Sequence, residues 1–332
     1  MIVISTGCPS SIGPEVAVAA AARARSSRCV LVGDTNTLRR AAALVGVLPS
    51  RLVAFEGTQP GRGTIATMQA GPRLTRADNK PGKPSAVSGR AQLEYINAAF
   101  ELVRATPGSA LATAPVSKSV IASSGYPGAE GFLGHTEWLQ ALDGAKTSVM
   151  CFAAPKLVTS LATTHVPMVD VPRRVTARAV TEAAVRLVEL LQALGKPRPH
   201  VAVCALNPHA GESELLGREE ARAIVPGVEK ARFRCGPDVT LSGPIGAETA
   251  FRKAYAGAYD GVVALYHDQA TVPMKLVAFG EAVNVTMGLS IVRTSVDHGT
   301  GYDIAWKGIA DARGMLAAIR LAERLARHGR SR

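Results

Sequence analysis

The sequence predicts an α/β chain built on a parallel or mixed sheet. Short runs that are apolar on both faces alternate with stretches whose apolar residues recur at helical spacing. Ala, Val, Leu and Gly dominate and aromatics make up only 5% of residues, a mix that suits helices packed on a buried sheet. Histidines gather in loops just beyond the strand-like runs, where open α/β sheets bind their ligands.

Taken in order, Ile2–Ser5, Cys29–Val32, Ala110–Thr113, Ser148–Phe152, Val201–Leu206 and Gly261–Leu265 read as strands. Pro14 and Glu15, just after Gly13, suit the first turn of a helix. Leu93, Ile96, Phe100 and Val103 form one helical stripe. Val180, Ala184, Leu187, Val188, Leu191 and Leu194 form a stronger one, closed by Gly195 and Pro197. Met315, Ala318, Ile319, Ala322 and Leu325 stripe a final helix. Residues 57–84 are rich in Gly, Pro and Arg and predict an exposed excursion. No repeat, low-complexity tract or linker divides the chain, so two domains would have to be interleaved.

With 332 residues, 47% hydrophobic and 19% charged, the chain can bury a substantial core, and disorder is excluded as the main state. No run reaches the roughly 20 apolar residues of a membrane helix, and no basic leader precedes the first strand. The five cysteines are scattered without a CxxC pair, which fits reduced thiols in the cytoplasm. The net charge of +12 raises nucleic-acid binding. Its densest cluster is Arg320, Arg324, Arg327, Arg330 and Arg332, whose spacing puts the first three on one helix face. Without interleaved aromatics this reads as a solvated face, and no specific nucleic-acid partner is expected. A positive field also draws in anionic substrates. A non-catalytic basic binding protein is the competing reading from another class.

Five of seven histidines lie in polar, turn-rich segments: His135, His165, His209, His267 and His298. Their common placement suggests one convergent site. His200 opens a strand and His328 lies in the basic tail, so both read as structural or surface residues. Three imidazoles can hold a divalent transition metal and leave positions open for substrate. The spacing is no local signature, so it does not say which three. Lys275, Asn284 and Arg293 add a second signal, since Arg offers a fork and Lys a point charge to carboxylate or phosphate. Arg293 follows Ile291 and Val292, as if at the end of a buried strand. No GxGxxG turn or P-loop is present.

These segments together resemble the 4-hydroxythreonine-4-phosphate dehydrogenase (PdxA) family of vitamin B6 biosynthesis. The resemblance spans nearly the whole chain. It is carried by Ile12-Gly13-Pro14-Glu15, Ala114-Pro115-Val116-Ser117-Lys118, Gly134-His135-Thr136-Glu137, Thr164-His165-Val166-Pro167, Leu206-Asn207-Pro208-His209-Ala210-Gly211-Glu212, Tyr266-His267-Asp268-Gln269 and Arg293 through Thr300. His298-Gly299-Thr300 with Asp303-Ile304-Ala305 also looks like the cofactor loop of the wider superfamily.

The resemblance implies a doubly wound α/β/α fold of the isocitrate/isopropylmalate dehydrogenase type, with two interleaved domains and a cleft between them. The expected domains are residues 1–125 with 285–332, and residues 126–284. It implies a homodimer with shared active sites. His165, His209 and His267 would bind a divalent metal (Zn, Mg or Co), one of them reaching across the dimer. His135, Thr136, Lys275, Asn284 and Arg293 would bind substrate, and His298, Gly299, Thr300 and Asp303 the NAD or NADP. The implied reaction is oxidation of 4-phosphooxy-L-threonine, then decarboxylation to 3-amino-2-oxopropyl phosphate. Lys275 and a metal-bound water are the alternatives for the general base. Related substrates are D-threonate or D-erythronate 4-phosphate and aromatic cis-dihydrodiol carboxylates.

Three segments depart from the family pattern. Cys8 stands where an Asp is usual, Glu248 replaces an Asp, and Gly301-Tyr302 replaces Ala-Leu. The proposed metal trio and the anion-binding trio Lys275, Asn284 and Arg293 are intact, so the altered loops bear on substrate and cofactor choice.

Overall fold

Ile2, Val3, Ile4 and Ser5 are all buried, so the first strand must be covered on both faces. The structure is a computed structural model and describes residues 1–24 and 27–329. Its strands are β1 (Ile2–Ser5), β2 (Cys29–Gly33), β3 (Leu52–Ala54), β4 (Ile65–Gln69), β5 (Asn79–Lys80), β6 (Lys83–Pro84), β7 (Ala110–Thr113), β8 (Val149–Ala153), β9 (Val158–Leu161), β10 (His200–Cys204), β11 (Thr240–Ile245), β12 (Gly261–Ala264), β13 (Val283–Met287) and β14 (Arg293–Val296). The helices are α1 (Gly13–Arg23), α2 (Thr35–Leu44), α3 (Ala86–Ala105), α4 (Lys118–Ala122), α5 (His135–Asp143), α6 (Val171–Arg174), α7 (Ala177–Ala193), α8 (Val225–Cys235), α9 (Ala247–Tyr255), α10 (His267–Ala278) and α11 (Arg313–Gly329).

The chain divides into two compact units, Met1–Ser148 with the chain from Leu289 onward, and Val149–Gly288. The first boundary thus falls after Ser148 rather than near residue 125. The reason is packing: Ile121, Ala129, Phe132 and Leu139 bury in the same apolar cluster as Leu93, Ile96 and Phe100 of α3.

In the first unit six parallel strands run in the order β14-β7-β1-β2-β4-β3. Alternation along β1 splits its side chains between two cores. Ile2 and Ile4 pack with Leu31, Ala112, Val16 of α1, Leu38 of α2 and Ile319 of α11. Val3 packs with Val30, Val32, Leu111 and the α3 stripe. Each fully buried Leu, Ile or Phe contributes about 1.5–3 kcal/mol. The helix starts carry local signals. Asp34 caps α2 by accepting from Thr37 N at 2.8 Å, and Ser85 with Ser88 forms a capping box on α3. The region 57–84 is not wholly an excursion. Ile65 and Ala66 are buried because β4 pairs with both β2 and β3.

In the second unit the order is β11-β10-β12-β9-β8-β13, parallel from β11 to β9 and antiparallel at β9–β8 and β8–β13. The steps β9 to β10 through α7 and β10 to β11 through α8 run one way along the sheet. The step β11 to β12 through α9 runs back. Right-handed crossovers in opposite directions put their helices on opposite faces, so this unit is doubly wound as well. Helix α7 ends where expected, with Gly195 at φ 84° and Lys196 N donating to Leu191 O at 2.9 Å.

Arg320, Arg324 and Arg327 lie on the exposed face of α11, and Arg327 pairs with Glu323 at 2.6 Å. Arg330 and Arg332 of the same cluster lie outside the described residues. Among the described residues no helix is long and apolar enough to cross a membrane. All five cysteines are unpaired.

Candidate active site

In the second unit β10, β12 and β9 are adjacent and parallel, so their carboxyl ends open on one edge of the sheet. His209, His267 and His165 follow these three strands in turn. The rings of His165 and His267 lie 5.6 Å apart between centroids. Nδ1 of His267 lies 2.6 Å from Asp268 Oδ1. A carboxylate hydrogen-bonded to one ring nitrogen orients the ring and leaves the other nitrogen as the one that could ligate.

His209 sits in a strained turn. His209, Ala210, Glu212, Ser213 and Glu214 all have φ between 42° and 71°, which non-glycine residues rarely adopt. The approach to this turn is tied down. Buried Glu220 accepts from Leu206 N at 2.9 Å and Asn207 N at 2.8 Å through Oε1, and from Asn207 Nδ2 at 2.9 Å through Oε2. Gln269 links two of the strand ends, accepting from Leu265 N at 2.7 Å and donating to Ala205 O at 2.9 Å. Among the described residues no three His, Cys, Asp or Glu side chains form a metal-holding group. The chain therefore brings His165 and His267 together and leaves His209 outside the pair. The two paired rings would supply two ligands to a metal, which would need further ligands from elsewhere.

Lys275 lies exposed on α10. Asn284 lies on β13, with its Oδ1 buried and without a hydrogen-bond partner among the described residues.

In the first unit Arg293 opens β14 instead of ending a strand, since Ile291 and Val292 precede the ladder. It is 2% exposed. Its register partner is Leu111, yet Nη2 reaches along the sheet to donate to Thr113 Oγ1 at 2.8 Å. Burial brings its pKa down to about 10, a fall that Glu137 opposes, so it stays a cation at neutral pH. His135 and Thr136 open α5. Nε2 of His135 is buried without a hydrogen-bond partner among the described residues. Burial first, then the charges of Arg293 and Lys118, hold this imidazole well below the usual histidine range, so it is neutral. Lys118 is a neighbour that sequence reasoning did not single out. Its position just past β7, at the start of α4, was the available signal.

The loop after β1 closes against the β7 and β14 loops. Gly7 has φ 72°, and a Cβ there would collide with the Pro115 carbonyl. Cys8 N donates to Pro115 O at 2.9 Å, and Ile12 N to Thr300 O at 3.1 Å. Trp306 Nε1 donates to Pro9 O at 2.9 Å. Two of the unusual residues meet here: Cys8 Sγ lies 3.5 Å from the Tyr302 hydroxyl, and burial raises the pKa of both groups. His298 Nδ1 lies 3.1 Å from Gly299 O and its Nε2 is buried, while Gly299 and Asp303 are exposed. Glu248 is exposed in the first turn of α9 and accepts from Thr249 Oγ1 at 2.7 Å.

The family model described as pyridoxal phosphate biosynthetic protein PdxA matches residues 25–322. A protein of Geobacter metallireducens named 4-hydroxythreonine-4-phosphate dehydrogenase is 39% identical, over 98% of this chain and 95% of its own length. A Cupriavidus necator protein named D-threonate 4-phosphate dehydrogenase is 40% identical, over 98% and 97%. The crystal structure of 4-hydroxythreonine-4-phosphate dehydrogenase from Klebsiella pneumoniae superposes with a TM-score of 0.83 at 34% identity, covering 98% of this chain and 99% of that one. The motif order, the doubly wound units and these full-length matches agree, and the chain belongs to the PdxA family.

Proposed function

We propose that this protein is a metal-dependent, NAD(P)-linked 4-hydroxythreonine-4-phosphate dehydrogenase of pyridoxal phosphate biosynthesis. Full-length similarity to relatives of that name supports the substrate. The observation that carries the chemistry is the His165–His267 pair at one sheet edge. When bound, a divalent metal supplies a Lewis acid and the nicotinamide a hydride acceptor.

The chain's own residues bind and orient. Arg293 and Lys275 hold the anionic groups of the substrate, with Thr136 and Asn284 as uncharged partners. Neutral His135 offers one donor or acceptor without adding charge. In its neutral form Lys275 is the chain's candidate for accepting the hydroxyl proton, and Arg293 then holds the anionic groups without it. Oxidation leaves a ketone β to the carboxylate, from which CO₂ departs. His298, Gly299, Thr300 and Asp303 are assigned to the dinucleotide.

The protein works as a homodimer in this reading. Helix α10 and its C-cap expose Val272, Leu276 and Phe279 around Lys275, the last two more than 80% exposed. An apolar surface of this kind supports an interface with a second copy of the chain. A partner chain would supply the third imidazole that a single chain does not bring to the pair. The unpaired cysteines fit a cytoplasmic setting.

The 40% identical relative makes D-threonate 4-phosphate the second reading of the substrate. A substrate panel with NAD or NADP, read by absorbance of the reduced nicotinamide with and without divalent metal, tests both. The highest kcat/KM is expected with 4-phosphooxy-L-threonine. A preference for D-threonate 4-phosphate would move the assignment to the second reading, and no nicotinamide reduction with any substrate would overturn both.

A further inference from the structure

The amino end of α5 has no capping side chain and has charged groups close to it. The helix has nine residues, and its N-cap Gly134 has no side chain to accept from the first-turn N–H groups. A Cβ placed on Gly134 would lie 3.1 Å from Glu137 Oε2 and 3.6 Å from Lys118 Nζ. A carboxylate and an ammonium thus both lean over the same glycine. Arg293 is close enough that its charge is felt at His135 and that it feels Glu137 in turn. His135 Nε2, buried and unpartnered among the described residues, is the uncharged member of the cluster.

Counting charge decides what this cluster can hold. Arg293 contributes one positive charge and Glu137 one negative charge. His135 contributes none. Those three alone leave the site neutral. No ion pair among the described residues engages Lys118, so its charge is not spent on another partner. With it the site is net positive at a helix end that already favours anions.

We propose that Lys118 sets the sign of the charge at the amino end of α5 and, with Arg293, binds the phosphate of the substrate there. This rests on the functional reading above and adds to it a specificity-determining residue. The stem of Lys118 is exposed, so replacing it does not disturb the core. Glu137 is the built-in counterweight, and removing it should offset the loss of the lysine.

The test is a charge cycle read with inorganic phosphate as the probe. Phosphate affinity is measured by calorimetry on the full-length protein, wild type and variants, at one low ionic strength. Lys118→Met should weaken binding by about tenfold or more, and Lys118→Arg should keep it within about threefold. The double variant K118M/E137Q should regain most of the loss. NMR titration of the His135 ring gives a second readout that a structural role would not move: its pKa should rise in K118M and stay low in K118R. Equal phosphate affinity in wild type and K118M would overturn the proposal. So would a K118M loss that E137Q leaves untouched. Nicotinamide reduction by the wild type separates the two levels. If the wild type turns over a phosphorylated hydroxy acid while K118M binds phosphate normally, only the role of Lys118 falls. If the wild type turns over none, the functional reading falls.

Discussion

His165 and His267, carried by loops that follow different strands, face each other at 5.6 Å between ring centroids. Neither has the other as a sequence neighbour, so the pairing of β12 with β9 is what brings them together. The fold makes this pair a joint property of two crossover units.

A metal role for the pair has a direct consequence. His165→Ala or His267→Ala should lower divalent-metal affinity by more than about 100-fold and remove nearly all turnover. His209→Ala should do the same if the partner chain supplies that ring. Metal content per subunit after dialysis is the measurement. Full metal content in His209→Ala would reduce the ligand set to the observed pair.

Arg293 is buried and donates to Thr113, so it tests geometry apart from charge. Arg293→Lys keeps the charge and loses the planar fork. The loss of kcat/KM with phosphorylated substrate should be about 10- to 100-fold, with secondary structure unchanged by circular dichroism. Unchanged kinetics would make Arg293 a bystander.

The neutral state of His135 links stability to pH. Burial, then Arg293 and Lys118, hold its folded pKa well below the usual value. The unfolded chain takes up a proton near about pH 6.5, and the folded chain does not until lower pH. Stability from the neutral ring is therefore full above about pH 6.5 and falls on acidification, by up to about 1.4 kcal/mol per pH unit, until the folded ring protonates. Denaturant midpoints of chelated protein between about pH 7 and 5 should show this slope, and His135→Gln should flatten it. A slope that survives the substitution would belong to another group.

Glu220 holds the approach to His209 through three hydrogen bonds. Glu220→Ala should destabilise the protein by about 2–3 kcal/mol, because it strands buried N–H donors. It should also weaken metal binding without touching a ligand. Glu220→Gln retains one acceptor and should fall between. Calorimetric unfolding paired with metal titration separates the two effects.

Much of the fold was legible because its strands are apolar. Ile2–Ser5 and Gly261–Ala264 announce themselves. The strands Val158–Leu161 and Arg293–Val296 did not, since they bury hydroxyls and a guanidinium that read as loop. Those groups are paid for by the fold: Thr159 donates to Val262 O and Ser160 to Ala183 O, contacts that no local pattern shows. The site divides the same way. Histidines in turn-rich segments stand out against apolar strands. Lys118 does not, because a lysine after a serine looks like any surface charge until His135 is brought beside it.

The interleaving of the two units dictates an order of assembly on the ribosome. Strand β7 of the first unit pairs with β14, but β14 and α11 are translated only after the whole of the second unit. While the nascent chain lengthens, one edge of the first sheet therefore stays unpaired, and the face that α11 covers stays wet. The second unit, contiguous in sequence, can close as soon as its last strand emerges. The first cannot close until β14 and α11 have been made. A chain truncated before β14 would keep a complete second unit beside a first sheet with an open edge, the kind of surface that recruits chaperones or aggregates.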